Sequence, residues 1–314
     1  MIQQPSEQKR CCICDDPVSP PYNIIGQRVY CARHFASVNK PHPGFWRSAI
    51  VQLVVMAVFA AVVGFLANLI GQPSFAVRIL LGIFLALVPS VLWLIYFYSQ
   101  DRLEPEPKTH IALVFATAFV LTDVLARRVI YDWFHVQDWA PYSTLASLGA
   151  SILVQAVMYQ LVAYIAIRMI YGTAEMDERM DGIVYGTVAG LGVATMLNLR
   201  YIIGNDGVDL APGVVRTVTT ALASASFSGL LGWFMAEAKF AHRPVWWVPV
   251  GFAISVLLNG LFSWLIGEVS AAGLSVEPWR SLAFGLVVAL GTFIVLAVLM
   301  RRAEATTSRG TTAS

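Results

Sequence analysis

Residues 181–201 read DGIVYGTVAGLGVATMLNLRY, with Asp181 at one end, Arg200 near the other and no charge between them. The span around this stretch, near residues 182 to 203, makes about 30 Å of helix at roughly 1.5 Å per residue, the thickness of a bilayer's hydrocarbon core. Comparable apolar runs, bounded by charges, Pro or Gly, lie near 48 to 70, 77 to 99, 109 to 130, 144 to 170, 213 to 237, 245 to 267 and 280 to 300. Only 13% of the 314 residues are charged, about half the share in soluble proteins. With 57% hydrophobic residues and a mean hydropathy of +0.67, a water-soluble fold is excluded. The sequence predicts an all-α polytopic membrane protein of about eight transmembrane helices, with the lipid bilayer as its first partner. A net charge of +2, scattered along the chain, gives no basic footprint for nucleic acid.

Charge also sets the orientation. The segment ahead of the first span is long, polar and Cys-rich, unlike a cleaved signal peptide, which begins basic and has a shorter apolar core. With that segment in the cytoplasm, Lys9, Arg10, Arg28, Arg33, Lys40, Arg47, Arg102, Lys108, Arg168, Arg179, Lys239, Arg243, Arg301, Arg302 and Arg309 lie inside. Only Arg78, Arg127, Arg128, Arg200, Arg216 and Arg280 lie outside. This excess obeys the positive-inside rule and fits an even number of spans with both termini cytoplasmic. Three regions follow: a cytoplasmic domain over 1–47, a membrane domain over 48–302, and a tail over 303–314. The tail, ending AEATTSRGTTAS, has too little apolar surface to pack and is expected to be disordered.

All four cysteines fall in the first region, as Cys11, Cys12, Cys14 and Cys31. Cys11-x-x-Cys14, sixteen residues, then Cys31-x-x-His34 gives two ligand pairs, which is what a closed tetrahedral zinc site needs. Asp15, Asp16, Pro17, Pro20 and Pro21 supply turn chemistry after the first pair, while Val29, Tyr30 and Phe35 flank the second with apolar packing. A structural zinc knuckle is expected, with Cys12 competing with Cys11 as ligand; the plainer alternative is a set of unpaired thiols in a flexible arm. Disulfides do not suit a cytoplasmic segment. Four protein ligands leave no open position for water, so this zinc would hold a fold or a partner rather than hydrolyse a substrate. The second pair, with Tyr30 and Phe35 around it, resembles LIM-type and treble-clef knuckles.

Two stretches in the membrane domain depart from generic apolar sequence. One is Tyr98-x-x-Asp101-Arg102-x-Glu104-Pro105-Glu106-Pro107, between the second and third spans; the other is Asp181 to Gly186 followed by Gly190 to Ala194, Asn198 and Tyr201. The first reads as a stiff, solvated turn, since Pro105 and Pro107 cannot continue a helix. In the second, Gly182, Gly186, Gly190 and Gly192 are spaced to let helices approach closely, a packing feature before it is a substrate groove. In this order and separation the two stretches resemble the PrsW family of intramembrane proteases, from about Phe84 to Ile266. That family is related in fold to prenyl-protein endopeptidases and to the scaffold subunit of γ-secretase.

The resemblance implies a metalloprotease-like site built from a Glu-Glu-x-x-Lys motif, a Glu-Asn pair after the glycine run, and two His from later spans. This chain keeps the frame and changes the chemistry. Gln155 and Ala156 stand for the two carboxylates and Tyr159 for the lysine. Leu197 replaces the later Glu, although Asn198 remains. Ser224 falls at the first His, Asn259 at the second, and Ser263 at an Asn. Composition agrees: the histidines are His34, His42, His110, His135 and His242, none near the middle of a span, and among the acids only Asp123 reads as plainly inside one. A zinc-type metal needs three side-chain ligands, and hydrolysis also needs a base. Asp123, four residues before Arg127, is expected to pair with it along the helix.

Measured from the outer ends of their spans, Gln155, Leu197, Ser224 and Asn259 share a layer roughly 8 Å thick. Gln155, Tyr159, Asn198, Ser224, Asn259 and Ser263 would satisfy one another there or line a ligand site, with Arg200, Arg216, Asp206 and Asp209 above them at the outer edge. The sequence has no Walker-type phosphate loop, no membrane His to serve Ser224 or Ser226 as a base, and no inverted repeat of the kind transporters use. The expected function is a pseudoprotease of this family that binds other transmembrane proteins or acts as a scaffold. The alternatives are an active intramembrane metallopeptidase and a structural subunit of a membrane complex.

Overall fold

A computed structural model describes residues 9–25, 28–38, 44–70, 74–100, 106–204, 210–241, 243–271, 278–308 and 312–313; Asp101 to Pro105, Asp206, Asp209, His42 and His242 lie outside them. A small hairpin comes first, β1 (Tyr22–Ile25) and β2 (Arg28–Tyr30), followed by α1 (Ala32–Val38). The long helices α2 (Phe45–Ile70) and α3 (Phe75–Gln100) lead to α4 (Lys108–Leu121), whose crossing continues to Trp133. A short connection with α5 (Val136–Trp139) precedes α6 (Thr144–Gly149) and α7 (Val157–Tyr171), which form one crossing. The chain ends with α8 (Arg179–Gly204), α9 (Leu210–Phe240), α10 (Trp247–Ala271), α11 (Pro278–Ser308) and β3 (Thr312–Ala313).

Eight of these stretches are long and apolar enough to cross a membrane: Phe45–Leu66, Phe75–Gln100, Lys108–Trp133, Thr144–Tyr171, Arg179–Gly204, Gly213–Phe240, Trp247–Gly267 and Leu286–Ala305. They coincide with the apolar runs of the sequence, and the protein is an all-α integral membrane protein. Burial ranks them. In α8 and α9 89% of the membrane window is enclosed by protein, against 11% in α2, so α8 and α9 form the centre and α2 the periphery.

Glycine explains how the two central helices meet. Gly182, Gly186 and Gly190 recur every fourth residue on α8 and face Gly232, Ser228 and Ser224 of α9. A methyl group on Gly182 would sit 2.5 Å from the Gly232 carbonyl oxygen, closer than real side chains approach. Gly192 points the other way, where an added methyl would lie 2.5 Å from the Phe115 carbonyl of α4. Without a hydrophobic drive between helices in lipid, such close backbone packing supplies the association. Around this centre, Trp93, Tyr96 and Phe97 of α3 pack on Phe293 of α11.

The N-terminal segment folds back onto the membrane domain. Arg28 of β2 pairs with Asp177, in the turn between α7 and α8, at 3.2 Å. At the other terminus α11 passes Arg302 and reaches Ser308, with Ala303 buried, and β3 adds antiparallel to β1. The stretch whose composition reads as disordered thus begins as helix, because a helix already nucleated in the membrane extends at little cost.

Candidate functional site

A cavity of about 750 Å³ opens among five helical crossings, toward the C-terminal end of α8. Its wall takes Gln155 and Tyr159 from the fourth crossing, Leu197 and Asn198 from α8, Ser224 from α9, and Asn259 and Ser263 from α10. These are seven of the eight positions that the resemblance assigns to the family's site. The eighth, Ala156, is buried and is not part of the wall. Three stretches of wider, i→i+5 helix frame it: Thr122–Ala126 and Arg128–Trp133 end the third crossing, and Ala150–Ala156 lies within the fourth. Such π turns shift side chains off the ordinary helical register, and they recur at functional positions. Here they carry Thr122, Asp123, Tyr131, Asp132 and Gln155 to the cavity.

Polar groups of the inner wall bind one another and the backbone. Asn198 donates from Nδ2 to the Thr217 carbonyl at 3.2 Å, and Ser263 Oγ donates to Asn259 Oδ1 at 3.2 Å. At the rim, Arg200 binds Asp123, with Nε 2.7 Å from Oδ1. This corrects the expected Asp123–Arg127 pair: Asp123 lies in a π stretch, where a turn takes more than four residues and the i,i+4 register is lost. The Arg216 guanidinium lies 3.8 Å from the centre of the Tyr201 ring, a cation–π contact.

A second polar cluster, which sequence reasoning missed, occupies the opposite end of α8. Glu106 is only 4% exposed, and its Oε2 accepts from the Tyr185 hydroxyl at 2.5 Å. Asp181, also buried, accepts from the backbone N–H groups of Asp177 and Glu178 at 2.8 and 2.6 Å, capping the start of α8. Glu237 of α9 binds Arg179 at 2.8 Å and Arg243 at 3.2 Å. Glu106 is therefore not part of a solvated turn, and Asp123 is not the lone acid within a span. The signal was present: Asp181 and Tyr185 are four residues apart, on one helix face. This cluster stands about 18 Å along α8 from Leu197 at roughly 1.5 Å per residue, so it supports the fold rather than the cavity.

The cysteine segment forms a third candidate site. Ligand atoms of Cys11, Cys14, Cys31 and His34 all lie within 4.8 Å of one another. Cys14 Sγ is 3.9 Å from Cys31 Sγ, and His34 Nδ1 is 3.2 Å from Cys31 Sγ and 3.5 Å from Cys11 Sγ. A tetrahedron with metal–sulfur bonds of about 2.3 Å has S···S edges of about 3.8 Å, so the four atoms are spaced to hold a metal ion. Asp15 makes the tight turn, at φ 58°, and Cys11 N donates to the Asp16 carbonyl. Cys12 is exposed, and its N–H donates to Val29; Cys11, not Cys12, joins the cluster. Burial opposes ionisation of Cys11, yet backbone amides of Cys31, Cys14 and Ile13 and the His34 ring outweigh it and bring the thiol to about 6. For Cys14 a backbone bond at Asp16 favours the thiolate, but the Asp16 carboxylate, burial and the neighbouring thiols prevail and push it up to about 12. Crowded sulfurs resist carrying several negative charges together unless a cation joins them.

The membrane cavity has a different donor set. Among the described residues its wall contains no His and no Cys, and its carboxylates are Asp123, bound to Arg200, and Asp132. Two acids, one already ion-paired, do not fit a metal that needs three side-chain ligands. Among the described residues, the Cys11, Cys14, Cys31 and His34 group is the one compact enough to hold an ion.

Residues 106–300 match the family described as PrsW family intramembrane metalloprotease. Protease PrsW of Geobacillus kaustophilus is 29% identical over 187 residues, covering 57% of this chain and 76% of that protein. Protease PrsW of Bacillus subtilis is 26% identical over 187 residues, covering 59% and 82%, and that of Clostridioides difficile 26% over 188 residues, covering 58% and 77%. No solved structure matches. The matched region begins after the cysteine segment, α2 and α3, and it contains every residue of the cavity wall. The chain belongs to the PrsW family of intramembrane metalloproteases.

Proposed function

We propose that this protein is a PrsW-family member that has exchanged proteolysis for binding: a pseudoprotease that holds transmembrane segments of other proteins, as partner or scaffold. The observation that carries this reading is the composition of the cavity wall. Where the family has carboxylates, a lysine and histidines, this wall offers Gln155, Tyr159, Leu197, Ser224 and Asn259. None of these is a good metal ligand, and none is a base able to take a proton from water at neutral pH. The opening itself is present, at a volume typical of ligand sites. The Cys11, Cys14, Cys31 and His34 cluster holds zinc as a structural ion, and the charge distribution puts both termini in the cytoplasm.

Purified protein is expected to carry one zinc per chain, to lose it in Cys14→Ala, and to leave a membrane-spanning test peptide uncut. Returning Gln155→Glu, Ser224→His and Asn259→His together is expected to add a second metal. Metal that persists in Cys14→Ala, or cleavage of the peptide by the unaltered chain, would falsify the reading. The second reading, an active intramembrane metallopeptidase, is favoured by its relatives being named proteases. It requires that cleavage and that persistent metal.

A further inference from the structure

The cysteine segment has little of its own to hold it together. Among the described residues of 9–38 there are two strands of four and three residues, one helix of seven, and Cys11, Val18 and Tyr30 as the buried apolar side chains. A unit of this size lacks the core to fold alone, so its fold calls for the ion that Cys11, Cys14, Cys31 and His34 are spaced to hold. The same fold positions Arg28. Ile25 pairs with Arg28 in the hairpin, the Cys12 N–H donates to the neighbouring Val29 carbonyl at 2.9 Å, and Cys31 directly follows β2. The two ligand pairs therefore bracket the residue that reaches the membrane domain.

Arg28 meets Asp177 in a turn that the central helices build. Asp177 and Glu178 give their N–H groups to Asp181 of α8, and Lys239 of α9 donates to the Tyr171 and Met176 carbonyls at 2.9 and 2.6 Å. The Arg28 and Asp177 side chains are 39% and 13% exposed, and one ion pair so placed cannot order a flexible segment by itself. We propose, resting on the reading that the cluster binds zinc, that the cysteine segment is a zinc-dependent clasp on the turn between α7 and α8. Bound zinc folds the segment and seats Arg28 on Asp177; loss of zinc unfolds it and bares the start of α8. The cover on the central helix then follows zinc supply, through the linkage of metal binding to folding.

The test follows hydrogen exchange of the full chain in phosphatidylcholine nanodiscs, with zinc content measured on the same samples. Removing zinc with a chelator is expected to raise exchange about tenfold both in residues 22–31 and in the turn 173–181, with α10 unchanged, and zinc added back should reverse it. Arg28→Gln, which leaves the four ligands in place, should keep its zinc and still raise exchange in the turn; chelation should then add nothing there. Zinc that leaves without a change in the turn overturns the clasp and leaves the metal site standing. Residues 22–31 that stay protected without zinc overturn it too, since the fold would not need the ion. An equal rise in α10, or a turn unchanged by Arg28→Gln, likewise overturns it. A purified chain that binds no zinc overturns the metal reading and the clasp together.

Discussion

Arg28 and Asp177, 149 residues apart in sequence, form an ion pair that ties the cysteine segment to the N-terminal end of the central helix α8. Asp177 also gives its backbone N–H to Asp181, so the contact reaches the cap of that helix. Burial raises the Asp177 carboxyl above the ordinary range and Arg28 opposes that rise. Arg28→Gln is therefore expected to raise it further. The sign follows: the variant loosens the docked segment above that titration, where the carboxylate has lost its cation. Below it, with the acid neutral in both proteins, the two behave alike. Hydrogen exchange of residues 9–38 across pH checks this, and Arg28→Gln combined with Asp177→Asn should lose the pH dependence.

The glycine contact predicts a steep response to small changes. Gly186→Ala pushes a methyl group into the Ser228 carbonyl and the Gly229 backbone, neither of which can rotate away. A loss of about 1–3 kcal/mol is expected, as for overpacked cores. The same substitution at Gly172, where nothing lies within 4 Å, should be tolerated. Thermal unfolding of the two variants in one detergent decides between them.

Buried and exposed polar pairs should separate clearly. Tyr185→Phe leaves the buried Glu106 without the hydroxyl that it accepts from, at a cost of about 1–3 kcal/mol. Asp123→Asn removes a rim pair whose Arg200 is 48% exposed, and solvent screening keeps that loss under about 1 kcal/mol. Unfolding midpoints that rank the two the other way round would contradict this assignment of depth.

Metal retention should distinguish the two adjacent cysteines. Cys11→Ala is expected to release the ion, whereas Cys12→Ala keeps it, because Cys12 stands outside the cluster. Zinc content after dialysis against a weak chelator measures both.

Much of this was legible in the sequence. Charge-bounded apolar runs of bilayer length mark the crossings, and Cys-x-x-Cys with Cys-x-x-His marks the metal cluster, because both signals are local. The convergence of Gln155, Leu197, Ser224 and Asn259 could be read from their common depth. What escaped was the partner chosen across helices. Asp123 has Arg127 at helical spacing but binds Arg200, since a π stretch alters the register. Glu106 looked solvated beside its prolines, and only the three-dimensional packing brings it under Tyr185, 79 residues away. The ambiguity between Cys11 and Cys12 likewise needed the left-handed turn at Asp15 to settle it.

The backbone contact between α8 and α9 also decides what can move around the cavity. Two helices joined at Gly182, Gly186 and Gly190 move as a single wall, since sliding one past the other drives carbonyl groups into Cα atoms. The seam between α10 and the fourth crossing is pinned in the same way, because a methyl group on Gly260 would lie 2.6 Å from the Ile152 Cα, inside the π stretch Ala150–Ala156. A disulfide engineered across either seam should therefore form without displacing the helices that it joins.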